Sequence, residues 1–366
     1  MSDFRIHTLG CGSAKPTLRH QPSSTVVDYH DNLFMVDCGE GAQIAAQRFR
    51  LKLNRMRHIF LTHLHGDHVL GLPGLVSTLG LAGGGGHLTI HTFKEGERIL
   101  NEIFGFFSRD LPIKVEFNVI RPEEAVVFEN NSITVRTVPL RHRIPTVGYV
   151  FEEKEKPRHI DRRMCDFHQV PVCQLRNVKN GSDFIKPDGT IVPNRMLTSD
   201  ADPARSYAHI SDTAYTPSLA EKIGAVDLLF HETTYLDIHR KEAKARGHST
   251  AREAGRMAAL CGAKRLLTGH YSSRYKDDDA FRREALEEFP EVILNREGLT
   301  TNVCKYIHHN QKRVQTSIRT RFVYRIRNIY LTTTFVALPP TFTMYMPGAT
   351  ATRALSVTAM QLPDAV

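Results

Sequence analysis

The segment "FLTHLHGDHVLG" at residues 60–71 limits what this chain can fold into more than any other short stretch. "HIFLTH" reads as a short buried strand, and three histidines and an aspartate follow within six residues. Polar groups this dense at the end of a buried strand are costly unless they act together. In an extended stretch leaving a strand, alternate side chains face the same way, so His63, His65 and Asp67 project together while His68 joins from the following turn. Imidazole nitrogens and carboxylate oxygens in that arrangement suit a zinc-like divalent cation. A lone histidine is more often a satisfied core or surface residue, but HxHxDH is a far more restrictive pattern.

The first 300 residues alternate β-rich and helical segments. "DFRIHTLG", "STVVDY" and "LFMVDCG" read as strands, "GAQIAAQRFR" as the first helix, and "GLPGLVSTLGL" as a helix stopped by the glycine run 83–86. "HLTIHTF", "VEFNVI", "AVVFEN", "SITVRTVPL" and "TVGYVF" supply further strands. The alternation resumes with "SYAHISD", "VDLLFHET", "STAREAGRMAALCG", "KRLLTGH", "DAFRREALEEF" and "EVIL". Two such halves predict an α/β fold in which two sheets pack face to face with helices on the outer surfaces. The interval 152–197, rich in charge, Pro and Gly and weak in periodicity, is a candidate protruding arm.

Ligands from one loop cannot close two metal sites. His142, Asp212 and His270 each lie just past an apolar β-like run, which is also where the 63–68 cluster lies. The coherent assignment is one ion held by His63, His65 and His142, a second held by Asp67, His68 and His270, and Asp212 bridging. Paired divalent ions can flank an in-line displacement at phosphorus. Position alone also allows Asp212 to cap a helix beginning near Pro217.

Of the formal net charge of +9, +7 falls in residues 304–366, where eight Lys or Arg face only Asp364. The remaining body carries +2, so net charge is no argument that the catalytic part grips nucleic acid. The six cysteines are dispersed without a CxxC pair, which argues against a disulfide framework or a thiolate zinc site. With no signal-like start and no apolar run long enough to span a bilayer, the expectation is a soluble cytoplasmic protein without membrane partners.

"THLHGDHVLGLPGL", "HISDT", "HETTY", "GHST" and "TGHYSSRY", in this order, resemble ribonuclease Z, the tRNA 3′-processing endonuclease family of the metallo-β-lactamase superfamily. "VDCGEGAQ" at 36–43 strengthens the match, which runs over about residues 2–303. The resemblance implies a four-layer αββα metallo-β-lactamase fold with a short arm, two Zn2+ per subunit on the seven positions above, and a homodimer. It also implies cleavage of precursor tRNA to leave a 3′-hydroxyl on the tRNA and a 5′-phosphate on the trailer. It carries over His248 as proton donor to the leaving oxygen, with Glu232 the candidate to orient it; on the chemistry alone, Asp67 can be both ligand and hydrogen-bond acceptor for the attacking water. Without the resemblance, His248 reads as a residue beside a helix cap at Ser249.

On the substrate side, Arg176, Lys179, Lys186 and Arg195 in the arm are candidate phosphate contacts, as is Arg274 in "SSRY", which alternatively pairs with the acids at 277–279. Ser13, Arg19 and His20 in the N-terminal loop are candidates for the tRNA end. The extension 304–366 has no place in the family pattern and reads as a basic, poorly ordered appendage. The competing functions are a small-molecule phosphodiesterase or other hydrolase of the superfamily, and an RNA-binding module with a purely structural metal.

Overall fold

The computed structural model describes residues 4–82 and 86–303. The extension 304–366, and with it the expectation of a poorly ordered tail, lies outside the described residues, as does most of the glycine run. Two seven-stranded mixed sheets organise the rest. The first runs in the order Thr300–Asn302, Phe4–Gly10, Ser24–Tyr29, Asn32–Cys38, Met56–Phe60, His87–Thr92 and Lys114–Val119. Its early strands are antiparallel, and from Asn32–Cys38 onward the neighbours are parallel. The second runs Val292–Ile293, Leu266–Gly269, Leu228–Glu232, Ser206–Ile210, Val147–Glu153, Ile133–Pro139 and Val126–Glu129. There the first four strands are parallel and the last three antiparallel.

Period-two alternation decides which face each side chain takes. In Asn32–Cys38, Phe34 and Val36 enter a core shared with Tyr149, Phe151 and Phe230 of the second sheet, whereas Leu33 and Met35 turn outward. The outward residues pack on Ala42, Ala45, Leu72, Leu75 and Leu100 of the helices Ala42–Arg48, Leu72–Leu81 and Lys94–Phe107. On the other side, Val150, Ala208 and Leu229 meet Ala254, Met257 and Phe281 of Ala251–Leu260 and Asp279–Leu286. The outcome is the αββα sandwich. Phe60 shows what the central layer is worth: it is fully buried against the rings of Tyr149 and Phe151 at 5.2 and 5.6 Å between centroids. Truncating such a side chain to alanine costs about 3–5 kcal/mol.

Between Val147–Glu153 and Ser206–Ile210 the chain leaves the sheet and folds into a small unit. It comprises the helices Arg162–Phe167, Leu175–Lys179 and Asn194–Leu197 and a hairpin of Phe184–Ile185 with Ile191–Val192, over a core of Cys165, Val178, Phe184, Val192 and Leu197. Asn194 ties it from inside by donating to the carbonyls of Val178 and Ser182 at 2.6 and 2.8 Å. Its neck is closed where His159–Ile160 pairs with Thr198–Ser199. Glu153 clamps the departure to the return, accepting from Lys156 Nζ at 2.7 Å and Arg205 Nε at 2.9 Å. The excursion from the sheet therefore occupies 154–205, beginning after the strand that ends at Glu153 and continuing past 197. No helix among the described residues is long and apolar enough to cross a membrane.

Candidate metal centre and active cleft

The chemistry gathers at the carboxyl ends of the parallel strands, where side chains leave the ladder and backbone groups are free to hold them. Met56–Phe60 delivers 63–68, Ser206–Ile210 delivers Asp212, Leu228–Glu232 ends on Glu232, and Leu266–Gly269 delivers His270. His142 arrives from the loop after the antiparallel strand Ile133–Pro139. Asp37 and His270 sit at φ 57° and 62°, the left-handed region that costs a non-glycine residue energy and is tolerated where the surroundings fix it.

The structure brings His63, His65, His142 and Asp212 into one set of facing donor atoms, and Asp67, His68 and His270 into a second. His65 Nδ1 stands 3.0 Å from His63 Nε2 and 3.3 Å from His142 Nε2, and His68 Nε2 stands 3.2 Å from His270 Nε2. Asp212 lies between the sets, with Oδ2 3.6 Å from His63 Nε2 and Oδ1 3.3 Å from His270 Nε2. Asp67 Oδ2 is 3.5 Å from both His68 and His270. The helix that Asp212 might have capped, Leu219–Ile223, has Ser218 at its cap position, so that alternative falls.

The remaining ring nitrogens decide which tautomers face inward. His142 Nδ1 donates to the Gly247 carbonyl at 2.7 Å, and His68 Nδ1 to the Asp37 carboxylate at 2.7 Å. Thr62 Oγ1 donates to Asp37 at 2.8 Å, so it accepts from His63 Nδ1 at 3.0 Å. By the same logic Thr234 Oγ1, which donates to Glu232, accepts from His270 Nδ1 at 2.8 Å. Each of these four imidazoles is thereby left with its Nε2 lone pair pointing into the cluster, the arrangement that metal-binding histidines require. Facing lone pairs beside buried carboxylates repel one another unless positive charge stands between them. The residues therefore fit divalent cations.

The electrostatics agree. Burial holds His63, His65 and His142 below the ordinary imidazole range. At His68 burial acts the same way, but Asp37 and Asp212 outweigh it and drive the ring well upward. Burial would raise Asp67 and Asp212, and the surrounding histidines overcome it and hold both far below the usual carboxylate range. Around His68 the acids call for a positive charge, which a proton or a cation can supply.

His248 lines the same cleft and is one side of a second arrangement. Its Nδ1 donates to Glu232 Oε1 at 3.0 Å, 3.8 Å from Asp212. Glu232 and Asp212 together outweigh burial and raise the imidazole to about 9. Glu232 is fully buried and also accepts from the backbone N–H groups of Thr213, Thr234 and Ser249 at 3.0, 3.0 and 3.1 Å. The helix after His248 is capped by Thr250 in a capping box with Glu253, not by Ser249, whose hydroxyl donates to the Thr213 carbonyl instead. Gly247 precedes it at φ 75°, and a Cβ there would press on His142.

Residues 18–155 match the metallo-beta-lactamase superfamily, and 196–271 match the beta-lactamase superfamily domain. A ribonuclease Z of Parabacteroides distasonis is 47% identical over 304 residues, covering 83% of this chain and 100% of its own. One from Bacteroides thetaiotaomicron is 46% identical over 307 residues, covering 84% and 97%. The chain belongs to the ribonuclease Z family. In structure it resembles human tRNase Z, short form, with a TM-score of 0.59 at 22% identity, covering 82% of this chain and 100% of that one, a likeness of fold.

The other substrate candidates distribute unevenly in this ribonuclease Z chain. Ser13 lines the cleft. Arg19 does not reach it, being bound to Asp278 at 2.5 Å and the Tyr275 carbonyl at 3.0 Å, and His20 lies between Asp278 and Glu297. Arg274 stacks on Tyr235 with its guanidinium 5.6 Å from the ring, while Asp277 and Asp278 pair with Arg283 and Arg19. Arg176, Lys179, Lys186 and Arg195 all belong to the 154–205 unit and line no part of this cleft. The sequence pattern did not point to Asp37, Thr62 and Thr234, which hold the histidines from behind, or to Arg143 and Arg246, two cations on the cleft wall. Asp37, Thr62 and Thr234 lie inside the motifs "VDCGEGAQ", "THLHGDHVLGLPGL" and "HETTY", which placed them near the site without giving them a role; Arg143 and Arg246 lie in none.

Proposed function

We propose that this chain is a metal-dependent endoribonuclease that removes the 3′ trailer from precursor tRNA, leaving a 3′-hydroxyl on the tRNA and a 5′-phosphate on the trailer. The observation that carries it is the convergence of two donor sets and a separately held imidazolium in one cleft of a ribonuclease Z chain. In this reading His63, His65 and His142 would hold one Zn2+, Asp67, His68 and His270 would hold another, and Asp212, lying between the two sets, would be shared by them. When bound, such ions supply Lewis acidity to the phosphate.

The chain's own groups do the rest. Asp67 and Asp212 are held ionised, and Asp67, besides serving as a ligand, is placed to accept a hydrogen bond from the attacking water. His248, kept protonated by Glu232 and oriented through Nδ1, presents Nε2 as the acid for the departing 3′-oxygen. Arg143 and Arg246 on the wall offer charge to flanking phosphates, and the basic residues of the 154–205 unit add salt-dependent grip on the tRNA body. The reading includes a homodimer, as the family resemblance implies, and a cytoplasmic site of action; sedimentation of the purified chain tests the former.

The deciding experiment incubates the zinc-loaded protein with a 3′-extended tRNA and maps the cut and its end groups. Cleavage at the trailer junction with the stated ends supports the reading. Turnover of a generic phosphodiester without any cut in the tRNA would replace it with a small-molecule phosphodiesterase.

A further inference from the structure

Behind the catalytic cleft the N-terminal loop carries a second cluster of ligand atoms that the mechanism does not use. Cys11 Sγ lies 3.4 Å from His20 Nδ1, and the same nitrogen lies 3.2 and 3.3 Å from the two carboxylate oxygens of Glu297. The thiol, imidazole and carboxylate donors all fall within 4.8 Å of one another. The far nitrogen of His20, Nε2, is held by Asp278 at 3.0 Å, and Asp278 is in turn paired with Arg19 at 2.5 Å.

We propose that Cys11, His20 and Glu297 form a third metal site, taking a thiophilic divalent cation such as Zn2+, distinct from the two sets in the cleft. Three features point this way. Bond lengths of about 2.3 Å to sulfur and about 2.0–2.1 Å to nitrogen and oxygen place tetrahedral ligand atoms roughly 3.6 Å apart for S and N and roughly 3.3 Å for N and O. The observed 3.4 and 3.2 Å match those separations, and the second is longer than the 3.0 Å at which His248 Nδ1 donates to the Glu232 carboxylate. Asp278 on the outer nitrogen reproduces the carboxylate–histidine–metal relay that orients metal-bound imidazoles. The charges also close: a thiolate and the Glu297 carboxylate neutralise one divalent ion, while Arg19 neutralises Asp278. Binding releases the Cys11 thiol proton, and any second proton on His20, to solvent.

The loop is shaped for this contact. At Gly12 a Cβ would stand 2.7 Å from the His20 Cβ, so glycine there is what lets His20 close over Cys11. The same loop touches the catalytic centre: Ala14 N–H donates to Asp67 Oδ2 at 2.6 Å, and Tyr271, the neighbour of His270, donates through its N–H to the Cys11 carbonyl at 2.8 Å. An ion at Cys11 clips this loop to the turn bearing Glu297 and steadies Asp67 from outside the cleft.

Cobalt(II) titration of the full chain tests the site, because the cleft offers only nitrogen and oxygen ligands and a thiolate-to-cobalt absorption in the near ultraviolet must come from a cysteine. The wild type should develop this band, Cys11→Ser should lose it, and His63→Ala should keep it. Glu297→Gln, which leaves the buried thiol and its packing intact, should weaken the cobalt affinity read from the band at least about tenfold, and Asp278→Asn by about 10–100-fold. A wild type with no band at cobalt levels that fill the cleft, a band that survives Cys11→Ser, or an affinity unchanged in Glu297→Gln would overturn the proposal. None of these outcomes depends on the tRNA reading.

Discussion

Replacing Glu232 by glutamine separates the charge of that residue from its shape. In the native site Oε1 accepts three donors, the N–H groups of Thr213 and Ser249 and His248 Nδ1, while Oε2 accepts from the N–H and the hydroxyl of Thr234. The glutamine carbonyl takes the Oε1 side, where three donors would otherwise be stranded, so its NH2 faces Thr234 N–H. The buried N–H of Thr234 then loses its acceptor, at a cost of about 1–3 kcal/mol, while the Thr234 hydroxyl can turn to accept from the new NH2. His248 keeps its position but loses the negative charge that holds its proton. The expected result is a folded enzyme, less stable by that amount in urea, whose kcat on precursor tRNA falls by at least about tenfold, approaching the about 10²–10⁴-fold of a lost general acid, with KM little changed. Glu232→Ala should be worse on both counts, since position goes as well. A Glu232→Gln protein that is destabilised to this extent yet cleaves at the wild-type rate would reduce Glu232 to a structural strut and remove it from the chemistry.

Three further outcomes follow from the geometry. His248→Ala should retain its zinc by elemental analysis and lose about 10²–10⁴-fold in single-turnover cleavage; normal turnover with normal metal content would take His248 out of the mechanism. Changing Arg176, Lys179 and Lys186 together to alanine should weaken precursor-tRNA binding and flatten its dependence on log salt by about 0.7–0.9 for each phosphate no longer neutralised, while hydrolysis of a small phosphodiester stays as it was. Equal losses on both substrates would argue for misfolding. At Glu153 burial pushes the carboxyl up, but Arg205 and Lys156 outweigh it and hold it below the usual range, so its stabilisation is present above the unfolded carboxyl's pKa and vanishes as pH falls through the folded one. Wild type should exceed Glu153→Gln in urea midpoint near neutrality, and the gap should close in acid; a gap that is constant down to about pH 3 contradicts this.

The αββα sandwich was legible because each strand that builds it is long enough to show its burial pattern; Ser24–Tyr29 falls on "STVVDY" residue for residue. The helix Lys94–Phe107 was not. Gly96 dilutes its propensity, yet glycine is needed there because a Cβ would run into Thr92 and Leu64. In the 154–205 unit the helices span four to six residues and the strands two, too short for either period to register. At the site, the HxHxDH run is local and announces itself, and His142, Asp212 and His270 share the signature of following a strand. Asp37 and Thr234 act through register, meeting His68 and His270 only once strands are laid side by side, and Thr62, next to His63 in sequence, is set in its role by its bond to Asp37. Arg143 and Arg246 likewise reach the cleft through loops whose course no local pattern specifies.

The small unit that leaves the second sheet at Glu153 and rejoins it at Arg205 carries its own apolar centre and a single closed neck. Its surface can thus be recharged, lengthened or exchanged without disturbing the strands that place the histidines. Under the proposed function, selection on which transcripts are gripped can proceed there while the bond-breaking apparatus stays fixed.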